Sequence, residues 1–225
     1  MLRYKCLALD HDDTVVQSEA TINYPCFQRY LEVYRPGVAY SLEEYVKDCS
    51  QMTFVDMCRI RFSMSEEELH QEYLFWQEYM KTHIPETFPG LKKVLDEYRN
   101  QGGIICAVSM SSRYNILRDY QTHFGFEPDM IFSCELPEEL RKPNTFPLEQ
   151  IQKEYHLAPE DILVVDDMKF AVPMARRAGC PIAFAGWSRK EFPEIGKEIE
   201  NACDFRFDTP EDMRNFLIKE TNDEN

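Results

Sequence analysis

The stretch Tyr4-Lys5-Cys6-Leu7-Ala8-Leu9-Asp10-His11-Asp12-Asp13-Thr14 decides the fold. A short apolar run that ends in carboxylates predicts a buried strand delivering charged side chains to the rim of a sheet. In open α/β sheets, ligands bind outside the carboxyl ends of the strands. Carboxylates packed this closely repel one another unless a cation neutralises them or one of them holds a proton. The competing reading is a solvated acidic turn, and the rest of the chain decides between the two.

From about residue 90 onward, helical and buried-strand patterns alternate. Pro89-Gly90 opens an amphipathic stretch over 91–100, with Leu91, Val94, Leu95 and Tyr98 at helical spacing and Gly102-Gly103 after it. Ile104 to Val108 reads as an apolar strand that stops at Ser109. A helix over about 112–124 is closed by Gly125, and Met130-Ile131-Phe132 is a short strand. Residues 144–155 read as helix, Ile162 to Val165 as a buried strand ending in Asp166-Asp167, 170–178 as helix, and 181–185 as strand. Repeated strand–helix units with continuous apolar strands predict an α/β fold with a doubly wound parallel sheet. Residues 16–88 differ, because no buried strand appears in them. Ser41 and Ser65 are helix starts, the second with Glu68 at capping-box spacing, and Leu69, Tyr73, Trp76 and Met80 follow at helical intervals. The expected organisation is an α/β core from 1–15 and 89–225 with an all-helical insert over 16–88, whose aromatic residues form its core. Glu220 to Asn225 reads as a frayed tail.

At 225 residues and 44% hydrophobic content the chain can bury a sizeable core. Its formal net charge of −15 disfavours nucleic acid or an anionic membrane as partner, since both reward basic surface. An anionic small molecule is compatible with it, because a metal ion or a few local cations reverse the field inside one cleft. The eight cysteines are dispersed, with no Cys-x-x-Cys pair, which argues against a zinc site and for reduced thiols. No apolar run approaches a membrane span, and the expected setting is cytoplasmic.

Three of the inferred strands end in chemically capable residues: Asp10 and Asp12, Ser109, and Asp166 with Asp167. Lys142 precedes the helix that leads into the last of them. In a parallel sheet these ends share one rim. Mg²⁺ takes hard oxygen ligands and is bound through carboxylates plus a substrate phosphate. A carboxylate can act as nucleophile through an aspartyl-phosphate, and a hydroxyl with backbone N–H groups at a helix start cradles phosphate, as Ser109-Met110-Ser111-Ser112 could.

The ordered set Asp10-x-Asp12-x-Thr14, Ser109, Lys142-Pro143 and Asp166-Asp167 resembles the haloacid dehalogenase superfamily. The insert looks like the C1-type helical cap of members similar to phosphoglycolate phosphatase and β-phosphoglucomutase. The resemblance implies a Rossmann-like core and a cap that closes over it, excludes bulk water and sets specificity. It also implies a Mg²⁺-dependent phosphatase acting on a small phosphorylated metabolite; the expected state is a monomer or weak homodimer. Asp10 would be nucleophile and metal ligand. Asp12 would be general acid, then general base, with its carbonyl on the metal. Ser109 and the Met110 N–H would bind the phosphoryl group, Lys142 would neutralise nucleophile and phosphate, and Asp166 and Asp167 would hold the Mg²⁺. Two alternatives share the scaffold: a β-phosphoglucomutase-like phosphomutase, and a catalytically weak binding or regulatory protein. Ile22 stands where the mutase pattern has a histidine, which favours water as acceptor. Other departures are His11 and Asp13, where an apolar residue and glycine are common, Gln17 for an aspartate, and Ala171 for a further aspartate found in some members. Asp13 reads as turn chemistry, and His11 has no sequence-level explanation. Arg35, Arg59, Arg61, Lys81 and His83 are the cap cations that could meet an anionic substrate tail, but each reads more readily as a surface cation.

Overall fold

The computed structural model describes residues 1–218; the tail Glu220–Asn225 lies outside the described residues. Six parallel strands form one sheet: β1 (Cys6–Leu9), β2 (Ile104–Val108), β3 (Met130–Phe132), β4 (Ile162–Asp166), β5 (Ile182–Ala185) and β6 (Phe205–Phe207). Their spatial order is β3-β2-β1-β4-β5-β6. This is the doubly wound order in which the chain moves outward one way from β1, then returns to start again at β4. The topological switch point therefore lies between β1 and β4, with Leu9 beside Ala107 on one side and Val165 on the other.

The chain divides into two compact units, residues 17–86 and the remainder. The smaller unit is helical: α1 (Tyr24–Tyr34), α2 (Leu42–Gln51), α3 (Phe54–Phe62) and α4 (Glu66–Met80). It opens with a π-helical turn, Glu19–Asn23, in which the Ser18 carbonyl accepts from the Ile22 and Asn23 N–H groups. Ser41 with Glu44, and Ser65 with Glu68, close complete capping boxes on α2 and α4, so two orphan amides are satisfied at each start. The aromatic residues pack on one another around Phe27, which meets Phe54 and Phe62 edge-on at 5.2 and 5.3 Å. The face of α4 differs from the spacing expected at Tyr73. Tyr73 is exposed, and the inward position one residue earlier is taken by Glu72, which is buried. Leu69, Glu72, Trp76 and Met80 are spaced 3, 4 and 4 apart, the true helical stripe, with a carboxylate where apolar periodicity finds nothing.

In the sheet unit the helices are α5 (Leu91–Asn100), α6 (Arg113–His123), α7 (Phe146–Tyr155), α8 (Ala171–Ala178), α9 (Pro193–Glu200) and α10 (Pro210–Leu217). Alternate strand residues feed two cores. Leu7, Leu9, Ile105 and Val165 pack with Leu95 and Tyr98 of α5, Tyr120 of α6 and Leu217 of α10. Cys6, Ala8, Cys106 and Val164 pack with Leu148 of α7 and Met174 of α8. Helices on both faces explain why the strands are apolar throughout. Helix α7 begins at Phe146 rather than 144, because the Asn144 carboxamide oxygen accepts the Phe146 N–H at 2.9 Å and makes a turn there. β6, α9 and α10 are additions to the sequence-based outline. β6 has three residues with Arg206 at its centre, too short for a period to show. None of the eight cysteines, all among the described residues, is in a disulfide. No helix among the described residues is long and apolar enough to cross a membrane.

Candidate active site

β1 and β4 lie side by side at the switch point, so Asp10, the first residue past β1, and Asp166 and Asp167, at the end of β4, meet. Oxygens of these three buried side chains lie within 4.8 Å of one another. Lys142 reaches the same point from the loop before α7. Its ammonium donates to Asp10 Oδ1 and, at 2.8 Å, to Asp166 Oδ2, with the side chain only 5% exposed. The other oxygen of Asp166 accepts the Met168 N–H at 2.8 Å.

The turn after β1 is organised by the His11 carbonyl, which accepts N–H groups of Thr14, Val15 and Val16. Asp13 sits in that turn at φ 54°, a left-handed conformation that Asp tolerates better than most residues. Its carboxylate has a further engagement that the sequence does not reveal. Arg189, in the short helical segment after β5, donates from Nη1 to Asp13 Oδ2 at 2.9 Å and from Nη2 to Asp167 Oδ2. Thr14 Oγ1 donates to the remaining Asp167 oxygen at 3.3 Å. His11 is buried, and its Nε2 meets Asp119 Oδ2 of α6 at 3.0 Å. Asp12 is half-buried in the same turn, its backbone bridged to Val16.

Ser109 follows β2 directly. Its N–H donates to the Phe132 carbonyl, and its Oγ accepts the Ser111 N–H at 3.1 Å. Ser112 then caps α6 through the Asn115 N–H. Met110 is exposed between them. The structure thus gathers oxygens of Asp10, Asp166 and Asp167 within 4.8 Å of one another, with the Lys142 ammonium donating to the first two. Asp12 follows β1, and the Ser109-Met110 loop follows its other neighbour, β2. The five cap cations named above are each engaged within their own unit. Arg35 pairs with Glu68, Arg59 with Glu66, Arg61 with both oxygens of Asp48, Lys81 with Glu78, and His83 Nδ1 donates to the Tyr79 carbonyl.

Four carboxylates, Asp10, Asp13, Asp166 and Asp167, face two cations, which leaves two negative charges when all are ionised. Burial, joined by the charge of Asp10, pushes the Asp166 carboxyl up to about 6 against the pull of Lys142. Burial likewise holds Asp167 well above the usual carboxylate range despite Arg189. Burial alone would lower the Lys142 ammonium, but Asp10 and Asp166 outweigh it and hold the amine firmly protonated. Protons held this way leave when a cation arrives. The donors are all oxygen, which suits a hard cation such as Mg²⁺ or Mn²⁺ and disfavours zinc. The residues present therefore fit a metal ion.

The family model of haloacid dehalogenase-like hydrolases matches residues 7–185, a span holding every residue just described except Arg189. This chain belongs to that family. Among curated protein sequences none matches it. Solved structures share its Rossmann-like fold. A candidate phosphoglycolate phosphatase from Lactobacillus plantarum superposes with TM-score 0.79 at 17% identity, over 96% of this chain and 100% of that one. A predicted phosphoglycolate phosphatase from Haemophilus somnus 129PT gives 0.71 at 18%, over 96% and 99%. CbbY from Rhodobacter sphaeroides, in complex with xylulose-(1,5)bisphosphate, gives 0.71 at 14%, over 92% and 95%.

Proposed function

We propose that this hydrolase is a Mg²⁺-dependent phosphomonoesterase acting on a small phosphorylated metabolite through an aspartyl-phosphate at Asp10. One observation carries the reading: the buried convergence of Asp10, Asp166 and Asp167 at the switch point of the sheet, with the Lys142 ammonium on the first two. The phosphorylated ligand of the structural neighbour CbbY is consistent with it.

In this reading a carboxylate oxygen of Asp10 attacks phosphorus, and the bond to the ester oxygen breaks as Asp12 gives that oxygen a proton. Asp12, now a carboxylate, takes a proton from water, which attacks the phosphoryl group, frees inorganic phosphate and restores Asp10. Lys142 reduces repulsion between the anionic nucleophile and the anionic phosphoryl group. The Ser109 hydroxyl and the Met110 N–H bind phosphoryl oxygens at the start of α6. Asp10, the Asp12 carbonyl, Asp166 and Asp167 hold Mg²⁺, which when bound supplies positive charge to the transferring group. Ile22, buried at the entry to the helical unit, has no transferable proton, which favours water as the acceptor.

The test is phosphate release from sugar phosphates, phosphoglycolate, nucleotides and pyrophosphate with Mg²⁺. At least one substrate is expected to turn over, with Asp10→Asn inactive. Retained activity in that variant overturns the assignment, and activation by a sugar bisphosphate without net phosphate release would mark a mutase instead.

A further inference from the structure

We infer that Arg189 is a built-in competitor for the metal site: its guanidinium, shared between Asp13 and Asp167, weakens divalent-cation binding while it holds the metal-free site together. This rests on the reading of Asp10, Asp166 and Asp167 as the cation site.

The geometry is specific. Arg189 is 4% exposed, and its two terminal nitrogens go to two different carboxylates, Asp13 in the turn after β1 and Asp167 after β4. A guanidinium stays protonated throughout the working range, so this charge is permanent. The segment that carries it is fastened at a second point, where Trp187 Nε1 donates to the Thr14 carbonyl at 3.1 Å. The segment also runs close to the sheet edge at Gly186, where a Cβ would stand 3.0 Å from the Phe207 carbonyl oxygen. Arg189 is therefore placed by the fold.

Two opposing consequences follow from one charge. Without a metal, Asp13 and Asp167 share the guanidinium, and removing it takes away a buried cation that both carboxylates face. With a metal, the same guanidinium repels a divalent cation drawn to Asp167 and already engages one of the two Asp167 oxygens. Asp13 moderates this by drawing part of the guanidinium away. That gives a physical use to an acid standing where the resembling family commonly has glycine. The Asp13–Arg189 pair adds no net charge, but it sets how strongly Asp167 is already engaged.

The experiment uses metal-stripped full-length protein, titrated with Mg²⁺ by calorimetry and melted in EDTA. Relative to wild type, Arg189→Met is expected to bind Mg²⁺ about tenfold more tightly, yet to melt at a lower temperature without metal. A merely structural role cannot produce opposite signs. Asp13→Gly turns the whole guanidinium on Asp167 and is expected to bind Mg²⁺ several-fold more weakly. Unchanged or weaker Mg²⁺ binding by Arg189→Met overturns the proposal. Should that variant fail to fold, tighter or unchanged binding by Asp13→Gly overturns it instead. Absence of Mg²⁺ binding by the wild type itself overturns the cation site, and the proposal with it.

Discussion

Asp12 and Asp119 make the sharpest claims at the scale of single residues. If Asp12 protonates the leaving oxygen, Asp12→Asn should lose far more activity on alkyl phosphates than on aryl esters, whose leaving groups need little protonation. A leaving-group series of kcat/KM checks this, and equal losses across it would remove Asp12 as the acid. Asp119 is a separate case. It is the partner of His11 Nε2, and Arg118 Nε also donates to it at 2.7 Å. Asp119→Ala strands a buried imidazole and should lower stability by about 3 kcal/mol in urea unfolding. A change under half a kilocalorie would show the pair to be idle. Asp10, Asp12, Ser109, Lys142 and the Asp166-Asp167 pair were legible in sequence as candidates, because each follows a strand or precedes a helix. Asp119 and Arg189 were not. One lies inside a helix, the other past β5, and nothing local marks either as a partner of the turn.

At the scale of elements, α4 shows how a helix can hide a titratable group. Burial pushes the Glu72 carboxyl up to about 8, and no cation among the described residues pulls it back. The folded state then binds a proton that the unfolded chain, with an ordinary value near 4.5, releases. The contribution is full below pH 4.5 and is lost as pH rises through 8. Glu72→Gln carries no such proton. Its melting temperature should match wild type near pH 5 and exceed it by several degrees at pH 8.5, a difference on the order of a few kcal/mol. A pH-independent difference would show that Glu72 keeps an ordinary affinity. Capping boxes at Ser41 and Ser65 were visible in the chain because they are local. The inward position of Glu72 was not, since only the packing of α4 defines its buried face.

For the whole molecule, a net charge of −15 means that self-repulsion works against the compact state. Raising NaCl from about 10 to 200 mM should therefore raise the melting temperature by screening. Millimolar Mg²⁺ should raise it beyond the NaCl curve at matched ionic strength, because binding to the folded state alone adds stability by mass action. EDTA should reverse that excess. Superimposable Mg²⁺ and NaCl curves would mean that no specific site is filled.

By itself the sequence determined the alternation of apolar strand and helix and the placing of carboxylates at strand ends, and it predicted an all-helical insert over 16–88. These are short-range properties, set by periodicity and by the residue that terminates each run. Only the tertiary structure decided which charges share an environment. Lys142 reaches Asp10 and Asp166 across 132 and 24 residues of chain, and Arg189 reaches Asp13 across 176. Electrostatic interaction depends on separation in space and on burial, neither of which a linear pattern contains. The sheet order that sets β1 beside β4 is what turned separate acidic segments into one site.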